Sequence, residues 1–303
     1  MLPILIAMPG NEQQAGAIAA CLPGLPGEAE VRRFPDGESY VRLLQPAAGR
    51  EVVIVCTLDR PDAKLVPLLW LAAAAREGGA VRVGLVAPYL AYMRQDKIFR
   101  TGEIVSARHF AALLGDSFDW LVTVDPHLHR IGCLGEIFAR PAIAVHAAPA
   151  IASWIGQAVR APLLVGPDEE SQQWVDDIAS RCGADSIVLA KQRFGDHEVS
   201  IDACGLPAPA GRTPVLVDDM VSTARTMLAS ARLLREHGYP APVCVGVHAL
   251  FAEAAYADLQ AVAADIVTCD TVAHPSNRIP VAERLAAGIR QALQAPAGSG
   301  DPL

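Results

Sequence analysis

Short apolar runs separated by polar clusters recur along most of the chain. Nine of these runs have the length and composition of strands, at residues 3–8, 51–57, 81–87, 119–124, 162–166, 186–190, 213–217, 242–248 and 264–268. Most of them are too apolar to alternate between a buried and an exposed face. Such strands are typical of parallel sheets that are covered on both sides.

Segments with helical periodicity lie between the apolar runs. In one of them, Leu65, Leu68 and Ala72 fall on the same face of a helix. Glycine directly after such a segment is a common helix stop. Three helices are predicted on this basis, over residues 62–77 before Gly78, 103–114 before Gly115, and 147–159. The alternation of strands and helices predicts a doubly wound α/β architecture.

The length and composition of the chain indicate how many domains to expect. With 303 residues and 52% hydrophobic composition, the chain has material for about two domains, each with its own core. A second series of strands starts near residue 162, so the predicted domains are residues 1–145 and 146–295. Residues 296–303 are rich in Gly and Pro and are expected to form a loose tail.

The charge balance and the cysteines argue against several classes of protein. A formal net charge of −8 gives no basic field for a nucleic-acid backbone, so no nucleic-acid partner is expected. Charge, Pro or Gly interrupts every apolar run well short of a bilayer span, so we expect no membrane partner and no secretion. Seven scattered cysteines without a CxxC pair favour a reducing, cytoplasmic location.

Polar clusters rich in acids, histidine and cations follow five of the predicted strands. Ligands of open α/β sheets bind beyond the carboxyl ends of the strands, so these clusters predict one broad polar site. The clusters are YLAYMRQDK after residue 88, DPHLH after 124, PDEES after 166, KQR after 190 and DDMVSTART after 217.

The segment from Val215 to Met227 carries the most specific chemistry. Backbone N–H groups at the start of a helix, with hydroxyls beside them, form a cradle suited to a phosphate monoester. Asp218 and Asp219, just upstream, can accept hydrogen bonds from sugar hydroxyls or position a hydrated Mg²⁺. The alternative interpretation is that Ser222 or a neighbouring hydroxyl caps the helix and that the aspartates are only solvated.

These motifs resemble the ribose-phosphate pyrophosphokinase family. The resemblance covers most of residues 1–290 and is closer to the archaeal branch. It rests on the family's order of motifs, which here are RFPDGE from Arg33, PYLAYMRQDK from Pro88, DPH from Asp125, PD from Pro167, KQR from Lys191 and VDDMVSTART from Val217. The family implies two similar α/β domains of the type I phosphoribosyltransferase kind, each a mostly parallel sheet flanked by helices.

The resemblance also implies an activity and partners. Ribose-phosphate diphosphokinases move the β,γ-pyrophosphoryl group of Mg-ATP to the C1 hydroxyl of ribose 5-phosphate, which gives phosphoribosyl pyrophosphate and AMP. The expected partners are therefore ATP and ribose 5-phosphate, with Mg²⁺ as cofactor. A homo-oligomer, at least a dimer, is implied as well, because the RFPDGE loop would reach into the ATP site of a neighbouring subunit.

Individual roles follow from the resemblance position by position. Lys191 and Arg193 would be the catalytic pair on a mobile loop, and His127 and Asp168 would bind metal. The ATP-binding residues would be Phe34, Asp36, Glu38, Arg94, Gln95, Asp96 and His127. The ribose-5-phosphate-binding residues would be Asp218, Asp219, Ser222, Thr223, Ala224, Arg225 and Thr226.

The implied reaction requires such parts. The ribose hydroxyl must attack the β-phosphorus in line, so positioning and neutralisation of spreading negative charge supply most of the catalysis. Lys191, one of only three lysines, offers a compact ammonium, and Arg193 offers a planar guanidinium that matches paired phosphate oxygens.

Two departures from the family pattern leave alternatives open. The phosphate loop usually has Gly where this chain has Arg225, and a long side chain there would either crowd the anion or add a cation. Glu169 and Glu170 follow Asp168, where extra negative charge disfavours a pyrophosphate. A catalytically silent regulatory homologue is therefore one alternative. A phosphoribosyltransferase, which consumes the activated sugar, is another.

Overall fold

The computed structural model describes residues 1–128, 130–168, 171–194, 198–202 and 206–295. The side chains of residues 190–194 and 198–202 lie outside this description. The chain forms two compact units. One consists of Met1–Val145 together with the C-terminal stretch that begins at Ala282, and the other is His146–Val281.

A parallel sheet forms the centre of the first unit. The strands of this unit are β1 (Ile4–Ala7), β2 (Leu25–Gly27), β3 (Ala29–Arg33), β4 (Ser39–Leu43), β5 (Glu51–Val55), β6 (Arg82–Ala87), β7 (Trp120–Val124) and β8 (Ala142–Val145). Six of them pair in the order β2-β1-β5-β6-β7-β8, and all these pairings are parallel. β3 and β4 form a separate antiparallel hairpin. The helices α1 (Glu12–Cys21), α2 (Asp62–Glu77) and α3 (Ser106–Ser117) connect the strands.

Continuous burial along the central strands explains why they read as apolar runs. Val52, Val53 and Ile54 are consecutive in β5 and are all fully buried, so both faces of this strand are covered. On one face, Val52 and Ile54 pack in a core with residues of α2 such as Leu68 and Leu71. The predicted parallel sheet with two covered faces is therefore confirmed for this unit.

The second unit repeats this architecture. Its strands are β9 (Pro162–Gly166), β10 (Asp185–Val188), β11 (Ala190–Phe194), β12 (Glu198–Asp202), β13 (Thr213–Val221), β14 (Val243–Ala249), β15 (Asp265–Cys269) and β16 (Asn277–Ile279). Six of them form a parallel sheet in the order β10-β9-β13-β14-β15-β16, and β11 and β12 form an antiparallel hairpin. The helices are α4 (Ala148–Ala158), α5 (Gln172–Cys182), α6 (Arg225–Glu236) and α7 (Ala255–Gln260).

The last helix, α8 (Ala282–Gln294), belongs to the first unit and not to the second. The sequence-based boundary placed residues 282–295 in the C-terminal domain. The structure corrects this assignment. The helix packs on β7, β8 and α1, and Arg290 donates a hydrogen bond to the carbonyl of Cys21. Arg82 at the start of β6 donates to the carbonyls of Leu293 and Ala295. No described helix has the length and apolar composition needed to cross a membrane.

All nine predicted strands are present, but one predicted helix differs. The helix expected at residues 103–114 begins at Ser106 and continues through Gly115 to Ser117. The chain before it turns instead, because the Glu103 carboxylate accepts the backbone N–H groups of Phe99 and Arg100. Gly115 does not stop the helix. The predicted tail at residues 296–303 lies outside the described residues.

Candidate functional site

In the first unit, the predicted nucleotide-binding residues follow two neighbouring strands. Arg94, Gln95 and Asp96 lie in the segment after β6, and His127 lies in the segment after β7. Because β6 and β7 pair in parallel, both segments leave the sheet at the same edge. Arg94 is exposed and His127 is half-buried.

Hydrogen bonds hold the segment after β6 close to the start of α3. The side-chain oxygen of Gln95 accepts a hydrogen bond from the Ser106 hydroxyl, and the backbone carbonyl of Gln95 accepts the N–H of Ala107 at 3.3 Å. Glu103 accepts the N–H groups of Phe99 and Arg100 at 2.8 and 3.0 Å. With its oxygen engaged, the Gln95 amide offers its N–H₂ group, a donor suited to phosphate or purine acceptors.

Asp96 differs from its neighbours because its carboxylate is almost fully enclosed. Only 2% of its side chain is exposed. Nη1 of Arg130 lies 3.0 Å from Oδ1 of Asp96 and 3.2 Å from Oδ2. Arg130, in the segment after β7, was not singled out from the sequence.

The predicted adenine-binding residues lie on the turn of the β3–β4 hairpin. The N–H of Phe34 donates to the carbonyl of Glu38 at 2.8 Å, and the Asp36 carboxylate accepts the N–H of Glu38 at 3.1 Å. Gly37 takes a φ of 94°, a conformation that glycine adopts without strain. Phe34 is 38% exposed and meets Tyr40 edge-on at 5.9 Å between ring centroids. The turn therefore presents Phe34, Asp36 and Glu38 together.

In the second unit, three carboxylates converge at the carboxyl edge of the sheet. Asp168 follows β9, and Asp218 and Asp219 lie near the end of the neighbouring strand β13. Removal of the Asp218 carboxyl from water raises its pKa well above the usual value, and the negative charges of Asp219 and Asp168 raise it further. The N–H of Asp219 partly offsets this effect by donating to Oδ1 of Asp218 at 3.0 Å. Such a group of acids favours a bound cation or hydroxyl donors.

The N-terminus of α6 follows these acids and has no side-chain cap. Ala224 occupies the cap position, and its methyl side chain cannot accept a hydrogen bond from the first turn. The cap position therefore falls on Ala224, and not on Ser222 or Thr223 as the alternative interpretation assumed. Backbone N–H groups of the first helical turn have no partner within the helix, and together with the helix dipole they favour an anion.

Arg225 does not occupy the position that requires glycine. It is the first residue of α6, and its side chain is exposed. The left-handed conformation falls instead on Ala224, which has a φ of 55° and a buried methyl group. The exposed side chain is a cation beside the turn, and whether it crowds or binds the anion stays a prediction. Glu169 and Glu170 lie outside the described residues.

The predicted catalytic residues lie on the second hairpin. Lys191 and Arg193 are in β11, where they pair in register with Ile201 and Val199 of β12. The resemblance implied a mobile loop here, whereas the backbone forms a strand. Their side chains lie outside the description.

Two helix-flanked parallel sheets, with an anion cradle beside paired carboxylates in the second, define a two-domain protein of the phosphoribosyltransferase class. Residues 4–117 match the model for the N-terminal domain of ribose phosphate pyrophosphokinase, and residues 134–287 match the phosphoribosyl transferase domain. The chain belongs to the ribose-phosphate pyrophosphokinase family.

Individual relatives agree with this assignment. Ribose-phosphate pyrophosphokinase of Methanopyrus kandleri is 38% identical over 264 residues, which are 86% of this chain and 89% of the relative. That of Methanosarcina acetivorans is 33% identical over 289 residues, 95% and 99% of the two chains. Both organisms are archaea, which agrees with the resemblance of the motifs to the archaeal branch of the family. A crystal structure of phosphoribosylpyrophosphate synthetase from Mycobacterium smegmatis has the same fold, with a TM-score of 0.84, 24% identity and coverage of 97% and 99%.

Proposed function

We propose that this protein transfers the β,γ-pyrophosphoryl group of Mg-ATP to the C1 hydroxyl of ribose 5-phosphate and releases AMP. The observation that carries the proposal is the N-terminus of α6, with Ala224 at its cap position, next to Asp218 and Asp219. One end of this arrangement suits a phosphate monoester, and the other suits the hydroxyls of a sugar. Ribose 5-phosphate has both groups.

The phosphate of the sugar would bind at residues 222–226. Backbone N–H groups of this turn, the hydroxyls of Ser222, Thr223 and Thr226, and the exposed guanidinium of Arg225 are all donors. Asp218 and Asp219 would accept hydrogen bonds from the ribose hydroxyls. In this orientation the C1 hydroxyl would lie at the end of the sugar opposite the phosphate, where it remains available to attack the β-phosphorus.

Mg²⁺ fits the acidic group of the second unit. Mg²⁺ prefers oxygen ligands and usually binds through one or two carboxylates plus substrate phosphates. Asp168, Asp218 and Asp219 can provide the carboxylates. Within the described ranges, no three His, Cys, Asp or Glu side chains lie where they could hold a metal ion by themselves. Bound Mg²⁺ would neutralise charge on the triphosphate. In the first unit, His127 is proposed as a metal-binding residue.

ATP would bind to the first unit through Arg94, the Gln95 amide and the segment around His127. Lys191 and Arg193 would then stabilise negative charge that spreads over the transferred group in the transition state. Phe34, Asp36 and Glu38 would complete the adenine site of a neighbouring subunit, so the active form would be at least a dimer. The negative net charge and the scattered thiols support a cytoplasmic location and no nucleic-acid partner.

The first experiment identifies the products. Purified protein with Mg²⁺, ATP and ribose 5-phosphate should form AMP and phosphoribosyl pyrophosphate in equal amounts, measured by chromatography and ³¹P NMR. ADP as the product would refute the reaction. If the chain binds both substrates but releases no AMP, it is a silent regulatory homologue. Pyrophosphate release that depends on a nucleobase would instead indicate a phosphoribosyltransferase.

Two lysine substitutions, one at the proposed site and one elsewhere, test the catalytic assignment. Lys191→Ala should lower kcat by about 10³-fold, because a cation that stabilises phosphoryl-transfer charge has effects of this order. Lys64→Ala is the matched control, since Lys64 pairs with Asp59 and donates to the carbonyl of Thr57 within the first unit. The control should keep its turnover. Equal kcat values for both variants would remove Lys191 from the mechanism.

A further inference from the structure

The Asp96–Arg130 ion pair joins the two segments that carry the proposed ATP site. Asp96 follows β6 and Arg130 follows β7. Nη1 of the arginine lies 3.0 and 3.2 Å from the two carboxylate oxygens. The two partners differ sharply in exposure, because the Asp96 side chain is 2% exposed and the Arg130 side chain is 48% exposed.

This difference decides which partner a ligand can reach. A ligand that approaches the Asp96 carboxylate must first displace the arginine from it. The guanidinium, in contrast, has five N–H donors, and the contacts with Asp96 use only one of its three nitrogens. Asp96 therefore fixes Arg130, while Arg130 keeps donors on its exposed side.

The surroundings of Arg130 favour an anion. Its guanidinium carbon lies 5.8 Å from the centroid of the Phe99 ring, and the ammonium of Lys97 lies 5.0 Å from the same centroid. Arg94 and Arg100, in the same segment as Lys97, are exposed as well. Four exposed cations in two adjacent segments stand out in a chain whose formal net charge is −8. A polyphosphate is the substrate group whose charge matches such a patch.

We propose that Arg130 binds a phosphate group of the nucleotide and that Asp96 is a positioning residue that holds the guanidinium in place. Arg130 is then an additional ligand-binding residue, and Asp96 acts through it without touching ATP. The assignment rests on the proposed function for the identity of the nucleotide. Its chemistry requires only an anionic phosphate chain at the carboxyl edge of the first sheet.

Binding measurements without turnover test this assignment. The dissociation constants of Mg-ATP and of AMP are measured by calorimetry in the absence of ribose 5-phosphate. Arg130→Ala should weaken Mg-ATP binding by about 10- to 100-fold, the loss expected for hydrogen bonds to a charged group. AMP, which lacks the β- and γ-phosphates, should lose much less. Arg130→Lys should recover part of the loss, because it restores the charge without the planar geometry.

A double-mutant cycle tests the role of Asp96. Asp96→Asn should weaken Mg-ATP binding less than Arg130→Ala does, and the double variant should bind no worse than Arg130→Ala alone. The double variant also removes the enclosed, unpaired carboxylate that Arg130→Ala leaves behind, so it keeps the test valid if the single variant unfolds. Independent, additive losses would overturn the proposal, since they would mean that Asp96 itself contacts ATP.

Arg76→Ala is the matched control. Arg76 and Asp119 form a comparable ion pair at 3.0 Å in the same unit, at the amino end of β7 and not the carboxyl end. This variant should leave both dissociation constants unchanged. If Arg130→Ala changes thermal stability but binds Mg-ATP and AMP as the Arg76 control does, the pair is structural and the proposal fails. Absence of AMP release from the wild-type protein would refute the proposed function alone, since the nucleotide affinities are measured without turnover.

Discussion

The carboxyl group of Asp218 is costly to ionise in the folded second unit. Its pKa is raised by removal from water and by the charges of Asp219 and Asp168, so the ligand-free folded protein resists ionising this group. A cation or a hydroxyl donor relieves the same repulsion. The arrangement thus makes the empty site unfavourable and the occupied site favourable.

The burial of Asp218 and its repulsion by the neighbouring acids should make the stability of the ligand-free protein depend on pH. Asp218 binds its proton more tightly in the folded than in the unfolded state, so its favourable contribution is present below the unfolded pKa and is lost as pH rises through the folded pKa. Asp218→Asn should therefore raise the Tm of the ligand-free protein near neutral pH by about 2–4 °C for each kcal/mol gained. The gain should vanish in acid.

Asp258→Asn, at an exposed position in the first turn of α7, is the control for this experiment and should not raise Tm at any pH, because it only removes a charge that the helix dipole favours. Asp218→Asn should also weaken the binding of ribose 5-phosphate, measured by calorimetry. A variant that loses stability at neutral pH would contradict the assigned repulsion.

At the residue scale, local patterns predicted part of the site. Asp218 and Asp219 were recognisable because two adjacent acids at the end of a buried strand are costly without a ligand. Arg130 was not, since its partner Asp96 is 34 residues earlier in the chain and only the pairing of β6 with β7 brings the segments together. The one feature of the sequence that could have marked Arg130 is its positive charge shortly after the end of a predicted strand. Ala224 gave no signal, because nothing in an alanine marks a positive φ.

Among the elements, the strands of the sheet centres and the edge strand β10 were predictable, whereas the other edge strands and both hairpins were not. β5 and β13 read as strands because burial on both faces requires continuous apolar residues. β2 contains Pro26 and Gly27 and is short, so it resembles a loop. The β3–β4 and β11–β12 hairpins are polar and lie outside the main sheets. They lack the hydrophobic signal on which the prediction depended.

The attachment of α8 to the first unit can be tested at one glycine. A methyl group on Gly288 would lie 2.7 Å from Cγ1 of Val122 and 2.9 Å from Cγ1 of Val145, much closer than atoms pack. Gly288→Ala should therefore cost about 1–3 kcal/mol through overpacking. The free energy of unfolding, from urea titration, measures this loss.

Gly16→Ala, in α1, is the matched control for Gly288→Ala. A methyl group there meets no atom within 4 Å, so the substitution should stabilise α1 by up to about 1 kcal/mol through helix propensity. Opposite signs for the two glycines are the expected result. If Gly288→Ala is also stabilising, α8 does not pack on β7 and β8 as closely as described.

For the whole molecule, the proposal of a shared ATP site predicts complementation between inactive chains. Phe34→Ala would damage the hairpin offered to a neighbour, and Lys191→Ala would damage the receiving subunit. In a mixed dimer, one of the two sites combines an intact hairpin with an intact catalytic lysine. Random mixing should therefore restore about a quarter of the wild-type AMP release, as the two-fold symmetry requires.

The mixed sample is made by refolding the two variants together, and its activity is compared with each variant refolded alone. Activity that equals the sum of the separate variants would indicate that each ATP site is built within a single chain. Size-exclusion chromatography of the wild-type protein supplies the remaining control, because an active monomer would exclude a site completed by a neighbour.

The position of α8 also affects how the protein is made. The ribosome synthesises the whole of residues 146–281 before this helix. Until α8 has been made, β7 and β8 lack the helix that packs on them, and Arg82 lacks its hydrogen-bond acceptors, the carbonyls of Leu293 and Ala295. The second unit is a continuous stretch and can fold as it emerges. Because folding usually proceeds from the N-terminus during translation, this chain reverses the common order and completes its N-terminal unit last.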